Sequence, residues 1–178
     1  LCMDHDVPMQ IHTGMGDVEV NLVMCRPAYL IDLLRFPAYR GCRVLLVHTG
    51  YPYHREAAYM ANVLPRVYLD VSEGIPFASS AAWEILEGVM AMAPLNKICY
   101  GSDGYQLPEI MYTSAKLGKQ ALQDVLNGLV AKRMLSEADA QAAGRQGDRR
   151  EPARGGRTPP KQRQGAPQAT PSPPNASH

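Results

Sequence analysis

The chain has 178 residues, 46% of them hydrophobic, with 18 lysines and arginines against 17 aspartates and glutamates and a formal net charge of +1. That is enough apolar material for one domain with a real core, while the near-neutral balance argues neither for nor against a nucleic-acid partner. No stretch is long and apolar enough to span a membrane, the N-terminus carries no secretory pattern, and the four cysteines (Cys2, Cys25, Cys42 and Cys99) lack CxxC spacing and read as reduced, mostly buried thiols of a cytoplasmic protein.

The first residue is Leu1 and a strand follows almost at once, so an upstream portion is expected. Four short apolar runs read as buried parallel strands: residues 8–12, 43–48, 66–71 and 97–101. Each is hydrophobic without strict alternation, the pattern of strands covered on both faces. Helical periodicity lies between them. Residues 29–34 follow Pro27, a good first-turn residue. Residues 55–64 stop at Pro65, and residues 80–92 place Trp83, Ile85, Leu86, Val89 and Met90 on one stripe. Residues 108–132 form the longest pattern, carrying Leu117, Leu122, Val125, Leu126, Leu129 and Val130, and Ser136 caps a further helix start.

Four successive βα units imply an α/β fold with a parallel sheet and right-handed crossovers. A complete (β/α)8 barrel needs about 250 residues, so residues 1–143 are expected to form a (β/α) half-barrel of about four units. From Gly144 to His178 there is no Val, Ile, Leu, Met, Phe, Tyr or Trp, and seven basic residues stand against Asp148 and Glu151. Residues 144–178 read as a disordered, basic, Pro-rich tail, because they cannot bury enough apolar surface to offset their ordering entropy. As a nucleic-acid arm the tail would bind only in a salt-sensitive, sequence-blind way, and nucleic acid is not expected as a partner.

In parallel α/β barrels chemistry gathers at the C-terminal strand ends. Those ends here read His12-Thr13-Gly14, His48-Thr49-Gly50-Tyr51-Pro52, Asp70-Val71-Ser72-Glu73 and Gly101-Ser102-Asp103. Imidazole and carboxylate are ligands for zinc and similar divalent ions. Taken singly, a histidine after a strand is more often a hydrogen-bonded structural residue, and Asp70 reads as a strand end. The coincidence carries the weight: His12 and His48 sit in the same register, each followed by Thr-Gly, with Asp103 in a like position. Arg55 could clamp a substrate carboxylate, or simply pair with Glu56 or Glu73. His54 reads as a surface residue.

The segments Pro8-Met9-Gln10-Ile11-His12-Thr13-Gly14-Met15-Gly16-Asp17, Val47-His48-Thr49-Gly50-Tyr51-Pro52-Tyr53, Val67-Tyr68-Leu69-Asp70-Val71-Ser72 and Tyr100-Gly101-Ser102-Asp103 resemble the amidohydrolase 2 family. They look most like the branch that also occurs fused to glutamine synthetase-like domains. The resemblance runs from Leu1 to about Ala142, with the motifs in family order. It implies the C-terminal half of a TIM-type barrel holding a divalent metal, usually zinc. His12 resembles the fifth-strand metal ligand, and His48 the sixth-strand histidine of acid–base chemistry or metal contact. Asp103 resembles the eighth-strand aspartate that binds metal and positions or deprotonates the attacking water. Arg55 and Tyr51 are the candidate substrate-binding residues.

The implied reaction is hydrolysis of an amide, ring C–N or ester bond of a small molecule, with decarboxylation in one branch. A bound divalent cation lowers the pKa of its water from 15.7 to about 7. The family's first-strand His-x-His has no counterpart here. The expectation is therefore an incomplete copy, with metal binding weakened or lost, whose missing half is supplied by a partner N-terminal half-barrel or relieved by self-association. The alternative is a non-catalytic half-barrel remnant or binding module without metal.

Overall fold

The computed structural model describes residues 1–147. Its centre is one four-stranded parallel sheet, ordered β1 (Met9–His12), β2 (Val44–Val47), β3 (Val67–Asp70) and β4 (Ile98–Cys99). Met9 pairs with Val44, Val44 with Val67, and Leu69 with Ile98, so all four C-terminal ends open on the same side. The fold is the expected α/β half-barrel of four βα units.

The helices are α1 (Ile31–Arg35), α2 (His54–Val63), α3 (Gly74–Phe77), α4 (Ala82–Met90), α5 (Pro108–Ala131) and α6 (Glu137–Gly147). Residues 29–34 resolve into a 3-10 turn, Pro27–Leu30, running into the short α1. The turn of α3 and the 3-10 segment Ser79–Ala81 fill what the sequence pattern read as loop and helix start. Ser136 caps α6 as expected, its Oγ accepting from Asp139 N at 3.1 Å. Helix α6 runs to Gly147, past the expected boundary at residue 143; the rest of the expected disordered tail lies outside the described residues.

The core lies between the sheet and α2 and α4. Val44, Leu46, Val67 and Leu69 come from the two central strands, and Ala57, Ala58, Met60 and Ala61 from α2. On α4 the buried stripe is Ala82, Ile85, Leu86 and Val89, spaced i, i+3, i+4, i+7. Trp83 is one position off that stripe, about 100° around the helix, and is 54% exposed, which corrects its placement on the apolar face.

The expectation of four buried strands holds for β2 and β3 only. Strand β1 pairs on one side, and Met9, Gln10 and His12 are exposed. An edge strand has one neighbour, and of the β1 residues Ile11 packs, partly buried, against the core. The cysteines are also less buried than expected: all four are free and of intermediate exposure. Burial, with Asp70 adding to it, pushes the Cys99 thiol up to about 11.

Helix α5 packs on α3 and α4 through Ala121 and Val125, and Tyr100 ties it to the sheet's far edge. The Tyr100 hydroxyl, just beyond β4, donates to the Ser114 carbonyl and lies 3.1 Å from Ser114 Oγ. Gly118 leaves the space that the Tyr100 ring occupies. This contact fixes the two ends of the loop that carries Asp103.

Candidate metal centre

The repeated His-Thr-Gly has a common structural reason. Thr13 Oγ1 donates to the Val47 carbonyl at 2.8 Å, at the end of the next strand. Thr49 Oγ1 donates to the Ser72 carbonyl at 3.0 Å, just beyond the strand after that. Both threonines are buried. Each one ties its own loop to its neighbour, and so each histidine is delivered to the same edge of the sheet. The glycines then let the loops touch backbone to backbone: Met15 N donates to the Tyr51 carbonyl at 2.7 Å, with Gly14 at φ +79° and Gly50 at φ +68°.

Three side chains converge at that edge. His48 Nδ1 lies 3.3 Å from Glu73 Oε2 and 3.9 Å from Asp103 Oδ2. One donor atom from each residue falls within 4.8 Å of the others. The His48 and Glu73 side chains are 16% and 12% exposed, while Asp103 is 48% exposed and faces solvent. Burial raises the Glu73 carboxyl above its ordinary range; His48 opposes this, and Asp103, Asp17 and Asp70 add to it.

The backbone beneath all three is strained. His48, Glu73 and Asp103 sit at φ 69°, 49° and 50°. Only a few per cent of non-glycine residues adopt such values, and each costs about 1–3 kcal/mol where it persists. Asp70 stabilises one of them: its Oδ1 accepts from His48 N at 3.0 Å, from Ser72 N at 3.1 Å and from Ser72 Oγ at 2.6 Å.

His12 lies beside this group, its ring 4.6 Å from that of His48 and tilted by 55°. Gly16 packs against the His12 imidazole so closely that a Cβ there would come within 2.7 Å of Cε1. Glu73 joins His48 and Asp103 where sequence reasoning had named His12. The available signal was position: Glu73 follows its strand by three residues, and Asp103 follows the next strand by four.

Arg55 and Tyr51 are turned to other partners. Arg55 pairs with Glu84 on α4 at 3.2 Å, not with Glu56 or Glu73. Glu56 is taken by Arg26, whose Nε lies 2.9 and 3.1 Å from the two carboxylate oxygens. The Tyr51 ring stacks on His54 with centroids 5.9 Å apart. His54 itself is 6% exposed, which corrects its reading as a surface residue. At the first residue of α2 its ring lies against Gly88 of α4, and among the described residues neither ring nitrogen has a hydrogen-bond partner. Burial accordingly lowers its pKa, opposed by Glu84.

A family model for amidohydrolases matches residues 1–145. The chain belongs to the amidohydrolase family. It is 38% identical over 119 residues to Protein fluG of Emericella nidulans, a match covering 66% of this chain and 14% of that protein. Its structure is similar to that of a protein from Lactobacillus casei assigned as a metal-dependent hydrolase, with a TM-score of 0.75 and 32% identity. That alignment covers 81% of this chain and 37% of the other. The chain thus spans well under half the length of either relative. Its amidohydrolase fold places His12, His48, Glu73 and Asp103 at the C-terminal sheet edge, and among the described residues no helix is long and apolar enough to cross a membrane.

Proposed function

We propose that this chain carries the C-terminal half of the active site of a cytoplasmic, metal-dependent amidohydrolase. Its reaction is hydrolysis of an amide, ring C–N or ester bond in a small-molecule substrate. The observation that carries this reading is the convergence of His48, Glu73 and Asp103 from three successive strand ends, each on strained backbone.

The donor set fits a divalent cation. One imidazole and two carboxylates are typical zinc ligands, with bonds of about 2.0–2.2 Å, so two donors on one ion lie no more than roughly 4.4 Å apart. The 3.3 and 3.9 Å separations fall within that reach, and the widest pair, at no more than 4.8 Å, closes with a small side-chain movement. Zinc is the favoured ion on this chemistry. A bound ion would supply Lewis acidity and a water that ionises near neutral pH.

The chain's own residues do the rest. Asp103, the most exposed member, is placed to accept a proton from a nucleophilic water. His48 is placed to donate one to a leaving group, and His12 adds a further imidazole beside it. Glu73, enclosed and raised, concentrates negative charge where a cation would sit. Arg55 serves as a carboxylate clamp only after leaving Glu84, and Tyr51 lines the approach from the same loop as His48.

We further propose that the active unit contains more strands than these four. Strands β1 and β4 are edges among the described residues, with Met9 45% exposed on β1. Open edges of this kind invite pairing, which an N-terminal half-barrel or a second copy would satisfy. The test is zinc titration by calorimetry on the wild-type chain and on His48→Ala and Asp103→Asn, followed by amide and lactone hydrolysis assays. Saturable binding that both variants weaken by at least about tenfold is expected. No saturable binding would favour the non-catalytic module. Full activity from the monomeric chain alone would refute the need for further strands.

A further inference from the structure

His54 is enclosed, yet its polar edge is turned toward a groove. Its side chain is only 7% exposed, and among the described residues neither ring nitrogen has a hydrogen-bond partner. Tyr51 stacks on the imidazole at an interplanar angle of 10° and so sets the plane of the ring. The Nε2 edge faces α4: a Cβ on Gly88 would lie 3.0 Å from Nε2 and 3.2 Å from Cδ2. Glu84 Oε1 is 4.0 Å from the same nitrogen. Gly88, Glu84 and Glu87 line an open groove of about 380 Å³ where α4 meets Arg55 of α2. Buried polar groups are ordinarily hydrogen-bonded, so an imidazole without a partner behind two carboxylates is a donor in want of a ligand.

We propose that His54 and Glu84, completed by Glu87 and water, form a second divalent-cation site, suited to zinc. Two donors on one zinc ion lie no more than roughly 4.4 Å apart, and the 4.0 Å between Nε2 and Oε1 falls within that reach. Glu87 is three residues from Glu84 on α4, so the two carboxylates share a helix face. The imidazole selects among ions: magnesium and calcium take oxygen ligands, whereas zinc, copper and nickel accept nitrogen. Two cations now hold the carboxylates, Arg55 on Glu84 at 3.2 Å and Lys132 on Glu87 at 3.0 Å. Their side chains are 73% and 60% exposed, and exposed pairs of this kind contribute little, so both can turn to solvent as an ion enters. Gly88 keeps the approach to Nε2 clear. None of these donors belongs to the group at the strand ends, so this site stands apart from the proposed function.

The test is zinc titration of the 15N-labelled chain, with the imidazole nitrogens of His54 and His48 followed separately by long-range proton–nitrogen NMR. The Nε2 resonance of His54 should shift saturably in the wild type and equally in His48→Ala. Glu84 and Glu87 are each 44% exposed, so Glu84→Gln and Glu87→Gln should fold. Each should weaken zinc at His54 by at least about tenfold, the lower bound for losing a group that merely supports a ligand. Gly88→Ala places a methyl 3.0 Å from Nε2 and should abolish the His54 shift. A His54 imidazole unmoved by saturating zinc would overturn the proposal, as would a shift that Glu84→Gln leaves undiminished. A His54 shift lost in His48→Ala would also overturn it, by showing that the effect is relayed from the strand ends. Zinc moving His48 alone would overturn this site and leave the strand-end centre standing; zinc moving His54 alone would support this site and count against that centre.

Discussion

Replacing Gly14 by alanine should separate the two histidine-bearing loops. Gly14 sits at φ +79°, and a Cβ there would lie 2.6 Å from Tyr51 N and closer still to the Tyr51 carbonyl oxygen and the Gly50 carbonyl carbon. All three are backbone atoms, so no side-chain rotation relieves the overlap. The left-handed conformation costs an alanine about 1–2 kcal/mol, and overpacking against a fixed wall adds about 1–3 kcal/mol. The sum, about 2–5 kcal/mol, is a large part of a total stability of about 5–15 kcal/mol. One of those atoms, the Tyr51 carbonyl oxygen, also accepts the hydrogen bond from Met15 N.

Urea unfolding followed by circular dichroism measures this as a lower midpoint at unchanged slope. Gly128→Ala is the control, because it is the same chemical change inside α5 with nothing within 4 Å of the added methyl. There the alanine should stabilise by up to about 1 kcal/mol through helix propensity. A loss below about 0.5 kcal/mol for Gly14→Ala, the range of ordinary surface substitutions, would refute the claim that the two loops are locked together.

Leu46 is fully buried on β2, two residues before His48, so Leu46→Ala should cost about 2–5 kcal/mol; a calorimetric melting temperature within error of wild type would contradict its place in the core. His54 has its pKa lowered by burial below the ordinary 6.5, so the unfolded chain binds more protons in that range. Its stabilising contribution is present above pH 6.5 and is lost as pH falls through the lowered folded value. His54→Phe keeps an aromatic ring against Tyr51 and should flatten the loss of stability just below 6.5; an unchanged pH profile would sink this. Glu73 has the opposite sign. Its folded pKa is raised above 4.5 by burial, so in the chelator-treated chain stability is greatest below 4.5 and falls as pH rises through the raised value. Glu73→Gln should remove that decline, and a decline of equal size in the variant would show that another group causes it.

The sequence alone determined the order of elements and the edge of the sheet on which the chemistry sits. Four apolar runs separated by helical periods admit a parallel sheet and little else, and strand direction then sends the residues after each run to one side. The same logic made His12, His48 and Asp103 legible as candidates, because their position relative to a strand end is a local property. Its limits appeared where a residue's role depends on what packs over it. His54 follows two tyrosines and a proline in a loop, and only the stacking of Tyr51 and the approach of Gly88 show that it is buried. Strand β1 is exposed at three of its four positions, and its place at the edge with a single neighbour shows only in the sheet order. Arg55 could have met any of several carboxylates, and the packing of α2 against α4 chose Glu84. Glu73 was visible at a strand end, but its approach to His48 depends on a left-handed backbone turn at residue 73. Local pattern fixes where a side chain enters the fold. Which atoms it meets is decided by distances between segments far apart in the chain, and those are set only when the whole sheet and its helices pack together.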